Sequence, residues 1–357
     1  RVVFVPFVVP GERVRVRVRA RKKQCLFADL QEILLPAPQR VLPFCRYYQL
    51  CGGCQYQHLA YDAQLHYKTK QLRDMLTRMG GLAEPLPIQP ILPAPRTTRY
   101  RNRIDLHPRP DGRYGFCERG RGRVIFQLHD CPLFELEQDF SAYPLRQAAQ
   151  LLVVRTHDGA PYCYFKDDHN QVTSGAYDVA SQGARPGLHS SYTVDGRVFT
   201  AAYGGFFQVN STIVPELVAC VRRAAAPRPT DTLLDVYCGV GLFALALAGD
   251  VARVMGVEQN ADCILCAHAN ARRQGVTDAV FRAGAAEDIL TQLVADGTRV
   301  DVCLADPPRN GFTNKAVSAL KRLRPSRLVY ISCGPDTFAR DARKLCDAGY
   351  RLRRSEE

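Results

Sequence analysis

The sequence predicts an α/β protein whose C-terminal half is a Rossmann-like domain. Residues 232–243 read as an apolar strand, a glycine-rich turn and a helix, the unit with which such domains begin. Further short apolar runs end in polar residues, as parallel strands do when they present side chains at their carboxyl ends. Near the other end of the chain, Arg and Val alternate from Arg13 to Arg19, the period of a half-buried strand. We therefore expect a parallel-sheet domain that follows smaller β-rich units.

Composition favours several domains and a polyanionic partner. A chain of 357 residues is long for a single core and suggests about two or three domains. Its 46% hydrophobic and 23% charged content is typical of a folded, globular protein. Lys and Arg number 48 against 35 Asp and Glu, so the net charge is +13 and nucleic acid is the expected large partner.

Three further features predict a cytoplasmic protein. No apolar run approaches about 18 residues, so we expect no membrane span. The first residues lack a signal-peptide pattern and read as the middle of a strand, so we expect the natural chain to begin earlier. The 14 cysteines are scattered along a long chain, which favours a reducing compartment over a disulfide framework. We also expect a monomer.

The alternating N-terminal segment is a candidate nucleic-acid interface. In a half-buried strand the valines point inward and Arg13, Arg15, Arg17 and Arg19 share the outward face. Such faces are more often simply solvated, but the net charge and the basic run that follows favour phosphate contacts here. A small β-barrel of the oligonucleotide-binding type would present this face.

Three cysteines have the spacing of metal ligands. Cys45, Cys51 and Cys54 enclose two glycines that let the backbone fold tightly around the sulfur atoms, and thiolates prefer soft metals. The best fourth ligand is Cys131, because a following proline is familiar at cluster ligands, and Cys117 is the second choice. Tetrahedral zinc and a four-iron cluster both accept four thiolates, so the spacing leaves both open.

Helical and proline-rich segments divide the chain. An amphipathic helix is predicted from Tyr61 to Arg78, and the proline-rich connector after it suits a boundary near residue 96. Short β-like runs follow, with predicted turns at 110–112 and at Asp195 and Gly196. The segment Arg99 to Arg103 could hold phosphates and stack a base. The predicted units are a barrel at 1–40, a cysteine segment with helix and linker at 41–96, a central β-rich domain at 97–202, and the Rossmann-like domain at 203–357.

The Rossmann-like half carries a nucleotide-binding pattern. Asp235, Gly239 and Gly241 form the turn after the first strand, and Glu258 ends the second strand, where an acid suits a ribose diol. The pattern lacks the third glycine of the dinucleotide fingerprint and fits the motif of S-adenosylmethionine methyltransferases better. Asp306 ends another strand and precedes a rigid Pro-Pro turn.

A nucleophile is predicted at the end of the last strand. The apolar run 328–331 reads as a buried strand that stops before Gly334 and Pro335, which leaves Cys333 at its carboxyl end. We expect Thr337 to cap the helix that follows. Because a helix N-terminus favours the thiolate form of a nearby cysteine, Cys333 is a candidate nucleophile. The alternative is a small buried cysteine.

Four motifs together resemble the RNA uracil-5-methyltransferases, especially the branch that contains an iron-sulfur cluster and modifies 23S ribosomal RNA. They are the cysteine segment 45–54, the Phe-Phe-Gln-Val-Asn segment 206–210, the Asp-Pro-Pro-Arg segment 306–309 and the Ser-Cys-Gly-Pro segment 332–335. The resemblance implies a TRAM-like oligonucleotide-binding barrel, a [4Fe-4S] cluster, a small central domain and a C-terminal Rossmann-like methyltransferase domain.

The resemblance also implies roles for individual residues. Cys333 is the implied nucleophile, Phe206 stacks on the target base, and Asp306 helps to read the polar edge of that base. The implied cofactor-binding residues are Gln208, Tyr237, Glu258 and Asp306, and the implied cluster ligands are Cys45, Cys51, Cys54 and Cys131.

Two departures from the family pattern bear on the chemistry. Gly334 stands where the family usually has Asn. The segment that carries the family's general-base Glu has no match, and neither Glu356 nor Glu357 fits it, so no base is assigned. A chain that ended at Glu357 would be expected to stall as a covalent methylated adduct with RNA.

The implied reaction is methylation of uridine C5 in 23S ribosomal RNA by S-adenosylmethionine. Uracil C5 is a weak nucleophile, so a thiolate first adds at C6, and a base later removes the C5 proton. The target base is expected to flip into the pocket. The alternatives are a catalytically silent RNA-binding or chaperone module, a transfer RNA uracil-5-methyltransferase, and an enzyme that modifies cytosine.

Overall fold

A computed structural model gives the architecture of most of the chain. It describes residues 2–109, 111, 113–120, 125–127, 129–135, 150–155, 161–166, 176–178, 183–185, 189–202 and 206–357.

A five-stranded parallel sheet forms the centre of the C-terminal half. Its strand order is β15-β14-β13-β16-β17, so the first strand in sequence, β13, lies in the middle. Leu233, Leu234 and Val236 of β13 are fully buried, as expected for a strand that is covered on both faces. The strands are β13 (Thr232–Val236), β14 (Arg253–Glu258), β15 (Ala279–Ala283), β16 (Val302–Ala305) and β17 (Arg327–Tyr330).

Helices cover both faces of this sheet. One apolar cluster joins the sheet to α2, α3 and α4, and a second joins it to α5 and α6. The helices are α2 (Val214–Ala225), α3 (Leu242–Ala246), α4 (Ala261–Arg273), α5 (Ala286–Ala295), α6 (Asn314–Leu323) and α7 (Pro335–Asp347). The direction of strand order reverses between β13 and β16, which opens a crevice at their carboxyl ends. The predicted α/β class is confirmed.

The N-terminal residues form a small sheet of three strands in the order β1-β3-β2. The strands are β1 (Val2–Phe4), β2 (Arg13–Arg21) and β3 (Cys25–Leu35). Strand β2 contains the predicted alternation, with its arginines exposed and Val14 and Val16 partly covered. Val18 is 42% exposed, so the row of valines on the inward face of β2 is covered only at its Val14 end. Within the described residues this sheet is open, and the barrel stays a prediction.

Helix α1 (Tyr61–Arg78) joins the N-terminal part to the C-terminal domain. The predicted bounds of this helix are confirmed. Leu72 and Leu76 are buried against Ala339 and Ala342 of α7, so the helix that follows Cys333 packs directly on α1. In the described part of the chain, no helix is both long and apolar enough to cross a membrane.

The central segment is built of antiparallel strands. A seven-stranded sheet has the order β10-β9-β8-β7-β4-β5-β6, and β11 pairs with β12 as a hairpin. The turn predicted at Asp195 and Gly196 forms with both residues at positive φ, 48° and 74°. The turn predicted at 110–112 lies partly outside the described residues. The strands are β4 (Arg103–Pro108), β5 (Tyr114–Cys117), β6 (Ile125–Gln127), β7 (Gln150–Arg155), β8 (Pro161–Lys166), β9 (Ala176–Asp178), β10 (Gly183–Arg185), β11 (Ser190–Val194) and β12 (Arg197–Ala201).

Candidate active site

The turn after β13 brings backbone N–H groups next to an acidic side chain. Gly239 and Gly241 have φ of 55° and 85°, which glycine adopts without steric penalty. The Oε2 atom of Glu258 accepts a hydrogen bond from the N–H of Gly239 at 3.2 Å, and its Oε1 atom accepts one from Asn260 N at 2.9 Å. Glu258 is thereby held beside the turn, at the end of β14.

Asp235 is a buried acid beneath this turn. Its side chain is fully buried and its Oδ2 atom accepts a hydrogen bond from Ala244 N at 3.0 Å, while Oδ1 has no partner among the described residues. Burial raises the pKa of Asp235 to about 8; the bond from Ala244 opposes this, and the charges of Asp306 and Glu258 add to it. The carboxyl groups of Asp235, Glu258 and Asp306, which lie near the carboxyl ends of three strands, are therefore close enough for the charges of the last two to affect the pKa of the first.

Asp306 lies after β16 and is paired with Gln208. The Nε2 atom of Gln208 donates to Asp306 Oδ2 at 3.2 Å. Burial raises the pKa of Asp306 to about 6, and the bond from Gln208 acts in the opposite direction. Asn102 fixes the segment that carries Gln208, because its Nδ2 atom donates to Gln208 O at 2.8 Å and its backbone N–H to Val209 O at 2.9 Å.

The two phenylalanines before Gln208 have different environments. Phe207 is 3% exposed, and its ring stacks on Tyr192 with centroids 4.1 Å apart. Phe206 is 64% exposed and lies two residues before Gln208. Tyr237 is half-buried next to Phe312, and burial raises its pKa to about 12, so its hydroxyl remains protonated.

Cys333 is exposed at the end of the strand beside that of Asp306. Strand β17 pairs in parallel with β16, and Ile331 N continues the ladder by donating to Ala305 O at 2.7 Å. Helix α7 begins at Pro335 with Gly334 as its N-cap. The predicted cap at Thr337 is therefore wrong, because proline has no N–H to lose and favours the first helical position. Thr337 lies in the first turn and donates to Arg309 O at 2.9 Å.

The four predicted cluster cysteines are electrostatic neighbours. Burial raises the pKa of Cys51, and the charges of Cys131 and Cys45 add to this rise. Burial likewise raises the pKa of Cys54, where Cys51 and Cys45 add to it. The pKa of Cys117 is raised by burial alone. The thiol of Cys131, rather than that of Cys117, therefore belongs to this group.

The peptide around these cysteines is held by backbone contacts. Gly53 N donates to Cys51 Sγ at 3.3 Å, Gly52 N donates to Cys117 O at 3.1 Å, and Arg119 donates to Cys54 O at 2.8 Å. Among the described residues, however, no group of three or more His, Cys, Asp or Glu side chains is arranged to hold a metal ion. The thiols are neighbours without forming a coordination sphere.

The two C-terminal glutamates are engaged in ion pairs. Glu356 contacts Arg354 at 2.9 Å and Arg223 at 3.4 Å, and Glu357 contacts Lys68 of α1 at 3.5 Å. These contacts give neither carboxylate a link to the segments that carry Cys333 or Asp306.

The structure thus gathers Gln208, Tyr237, Glu258 and Asp306 around the carboxyl ends of β13, β14 and β16, and it places Cys333 three residues after the end of β17. The sequence reasoning gave no site role to Asp235, Asn102 or Asp341. Asp235 was visible as the acid of the glycine motif. Asn102 and Asp341 carry no sequence signal, because their partners lie far away in the chain.

The fold and the site define a Rossmann-like methyltransferase, and comparisons with known proteins give its family. The family model tRNA (Uracil-5-)-methyltransferase matches residues 187–354. An uncharacterized RNA methyltransferase of Thermosynechococcus vestitus is 33% identical over 98% of this chain and 87% of its own length. The 23S rRNA (uracil(1939)-C(5))-methyltransferase RlmD of Aeromonas salmonicida is 31% identical, with coverages of 99% and 87%.

A solved structure agrees with these relatives. The Pyrococcus abyssi tRNA (uracil-54, C5)-methyltransferase, in complex with S-adenosyl-L-homocysteine, is 25% identical with a TM-score of 0.73, and the match covers 97% of this chain and 89% of that one. The chain belongs to the RNA (uracil-5-)-methyltransferase family, whose members use S-adenosylmethionine.

Proposed function

We propose that the protein methylates C5 of a uridine in 23S ribosomal RNA through a covalent adduct between Cys333 and C6 of the base. The observation that carries the proposal is that Cys333 and Asp306 follow neighbouring parallel strands, with Gln208 bonded to Asp306. A nucleophile and a group that orients the base thus share one edge of the sheet.

The glycine turn and the acids around it form the cofactor site. S-adenosylmethionine, when bound, supplies an electrophilic methyl group. Glu258 has carboxylate oxygens suited to ribose hydroxyls, and the backbone at Gly239 permits close approach. Gln208, Tyr237 and Asp306 complete this proposed site.

Cys333 and Asp306 act on the base. The thiolate of Cys333 adds to C6 and leaves an enolate. Its C5 takes the methyl group as the bond from that methyl to the sulfonium sulfur breaks and S-adenosylhomocysteine leaves. A base then takes the C5 proton, and the Cys333–C6 bond breaks. Gln208 holds Oδ2 of Asp306, which leaves Oδ1 for the N3–H of uracil. Phe206 offers its exposed ring for stacking on the base.

The choice of ribosomal RNA rests on the Aeromonas relative and on the cysteine segment. Transfer RNA is the second candidate, favoured by the Pyrococcus structure and by the name of the family model. In both cases the exposed arginines of β2 are proposed to contact phosphates, in line with the net charge of +13. The side chain of Arg99 instead donates to both carboxylate oxygens of Asp130, at 2.9 and 2.8 Å, and to Cys131 O, so it is not assigned to a phosphate.

Cys45, Cys51, Cys54 and Cys131 are the residues that would hold a [4Fe-4S] cluster, with a structural or RNA-facing role, because methyl transfer needs no electron. Their mutual electrostatic contact and the N–H of Gly53 directed at Cys51 Sγ support this assignment. Anaerobically prepared protein should contain about four iron atoms per chain, as four thiolate ligands imply. Stoichiometric zinc without iron would contradict the cluster.

Tritium release tests the reaction. The protein is incubated with S-adenosylmethionine and RNA transcripts that carry 5-tritiated uridine. We expect release from 23S ribosomal RNA, none from transfer RNA, and loss of release in Cys333→Ala. Cys346→Ser is the matched control, since it alters a cysteine of α7 away from the strand end.

The result separates the candidates. Release from transfer RNA alone would replace the substrate and keep the chemistry. RNA binding with neither tritium release nor a denaturation-resistant protein–RNA adduct would favour the catalytically silent module, whereas an adduct without release would mean that no base removes the C5 proton. Unimpaired release by Cys333→Ala would exclude the covalent mechanism.

A further inference from the structure

Helix α7 contains a buried carboxylate that contacts two separate loops of the site. Asp341 is fully buried, and its Oδ2 atom accepts hydrogen bonds from Phe312 N at 2.7 Å and from the Tyr330 hydroxyl at 2.9 Å. Its Oδ1 atom accepts from Arg340 Nε at 2.9 Å. A buried charge is costly unless it is paired in this way, so the arrangement is specific.

The same helix holds the loop that follows Asp306 at two further points. Thr337 donates to Arg309 O at 2.9 Å, and Arg340 Nη2 donates to Asn310 O at 2.6 Å. Gly311 has φ of 69°, and a methyl group on its Cα would overlap Asp341 Oδ2 and the side chain of Thr337. The loop therefore lies flat on α7, and only glycine permits the contact.

The two hydrogen-bond donors to Asp341 Oδ2 lie on the two segments that contain Asp306 and Cys333, the residues proposed to act on the base. Phe312 ends the loop that begins at Asp306, and Tyr330 ends β17, three residues before Cys333. One oxygen atom is thus bonded to both segments. Burial raises the pKa of Tyr330, and the charge of Asp341 adds to the rise, so the phenol stays protonated and able to donate.

We propose that Asp341 is a positioning residue that fixes the Cys333 loop relative to Asp306 through Tyr330 and Phe312. The proposal rests on the proposed roles of Cys333 and Asp306. Adduct formation needs C6 of the base within reach of the sulfur while N3 faces Asp306. A misplacement of about 1 Å lowers such rates by about a hundredfold, so a clamp between the two loops affects rate rather than affinity.

The test compares two tyrosines of similar burial. Tyr330→Phe removes one bond to Asp341 and leaves the Phe312 bond intact. Tyr350→Phe is the matched control, because Tyr350 packs against the same apolar cluster as Tyr330 but donates its hydroxyl hydrogen bond to Leu320 O, at 3.2 Å, in α6. The readouts are the rate of covalent adduct formation with 23S ribosomal RNA that carries 5-fluorouridine, the Kd of S-adenosylhomocysteine, and backbone hydrogen exchange.

For Tyr330→Phe we expect adduct formation to slow about tenfold, a fraction of the hundredfold effect of a 1 Å displacement. The Kd of S-adenosylhomocysteine should change less than twofold, and exchange should speed up at 331–334. Tyr350→Phe should keep the wild-type adduct rate and the wild-type exchange at 331–334. Equal adduct rates and equal exchange in the two variants would overturn the clamp.

Hydrogen exchange distinguishes a failure of the Asp341 clamp from a failure of the proposed covalent chemistry. Failure of the wild-type protein to form any adduct would sink the proposed chemistry. Hydrogen exchange would still decide the clamp, because faster exchange at 331–334 in Tyr330→Phe supports it and unchanged exchange overturns it.

Discussion

The parallel sheet and the N-terminal three-stranded sheet use charged side chains in opposite ways. At the carboxyl edge of the parallel sheet, Asp235 and Asp341 are fully buried and Asp306 is largely so. On β2 the arginines are exposed, and Arg15 pairs with Glu32 across the strands while Arg19 lies 3.9 Å from Asp29. Burial raises the pKa of Asp235 and of Asp306, whereas solvent screens the charges of the β2 arginines.

The comparison teaches where each region can be altered. A buried carboxylate depends on a few exact partners, so single atoms matter there. An exposed basic strand acts on a polyanion through its summed charge, so each arginine is expected to contribute a small and similar amount to the affinity for RNA.

The largest expected effect comes from Gly311→Ala. The new methyl group would overlap Asp341 and Thr337, and the loop would force alanine to adopt a positive φ. We therefore expect the free energy of unfolding to fall by about 3 kcal/mol. Tritium release should fall with it, because the loop after Asp306 is displaced. Chemical denaturation measures the loss, and Gly297→Ala, also at positive φ but with open space around it, is the control. Equal losses in both variants would show that the packing on α7 does not matter.

The second expected effect concerns the way in which the free energy of unfolding depends on pH, through the carboxyl group of Asp235. Its pKa is raised to about 8 in the folded protein, so the folded state keeps a proton that the unfolded chain releases near its ordinary pKa of 3.8. The stability that this group contributes is therefore fully present below about pH 4 and is lost as pH rises toward 8.

Asp235→Asn should flatten that part of the stability profile, since an amide stays neutral and can still accept from Ala244. Urea unfolding of both proteins between pH 5 and pH 8 measures this. Asp306, with a pKa raised to about 6, contributes to both curves, so the difference between them reports Asp235. Parallel curves would mean that Asp235 does not hold its proton.

The smallest effect is expected on β2. Arg13→Ala with Arg17→Ala should reduce the salt dependence of RNA affinity by about one unit of slope for each lost phosphate contact. Arg15→Ala should change it less, because Glu32 already neutralises Arg15. Fluorescence titrations at several salt concentrations measure the slope. An unchanged slope in the double variant would make this face a solvated surface only.

Local pattern was enough to predict the strand ends. The period of apolar residues identified β13, β14, β16 and β17, and the polar residue after each run placed Glu258, Asp306 and Cys333 at one edge. The predicted helix cap at Thr337 is wrong, because the preference of proline for the first helical position outweighs the preference of threonine for the cap.

The contacts that tune the site could not be predicted in this way. Gln208 meets Asp306 across 98 residues, and Asn102 meets Gln208 across 106. Such pairs form only when segments that are far apart in the chain are placed against each other, and no period or spacing records that placement.

The sequence by itself therefore determined the class of fold, the edge of the sheet at which the proposed site residues lie and the residue types found there, because these depend on short-range periodicity and on turns. The tertiary structure decided which of those residues are buried, paired and shifted in pKa. Desolvation and hydrogen bonding depend on every group that surrounds an atom, and Asp341 shows it: its partners Phe312 and Tyr330 come from loops that meet only in the folded protein.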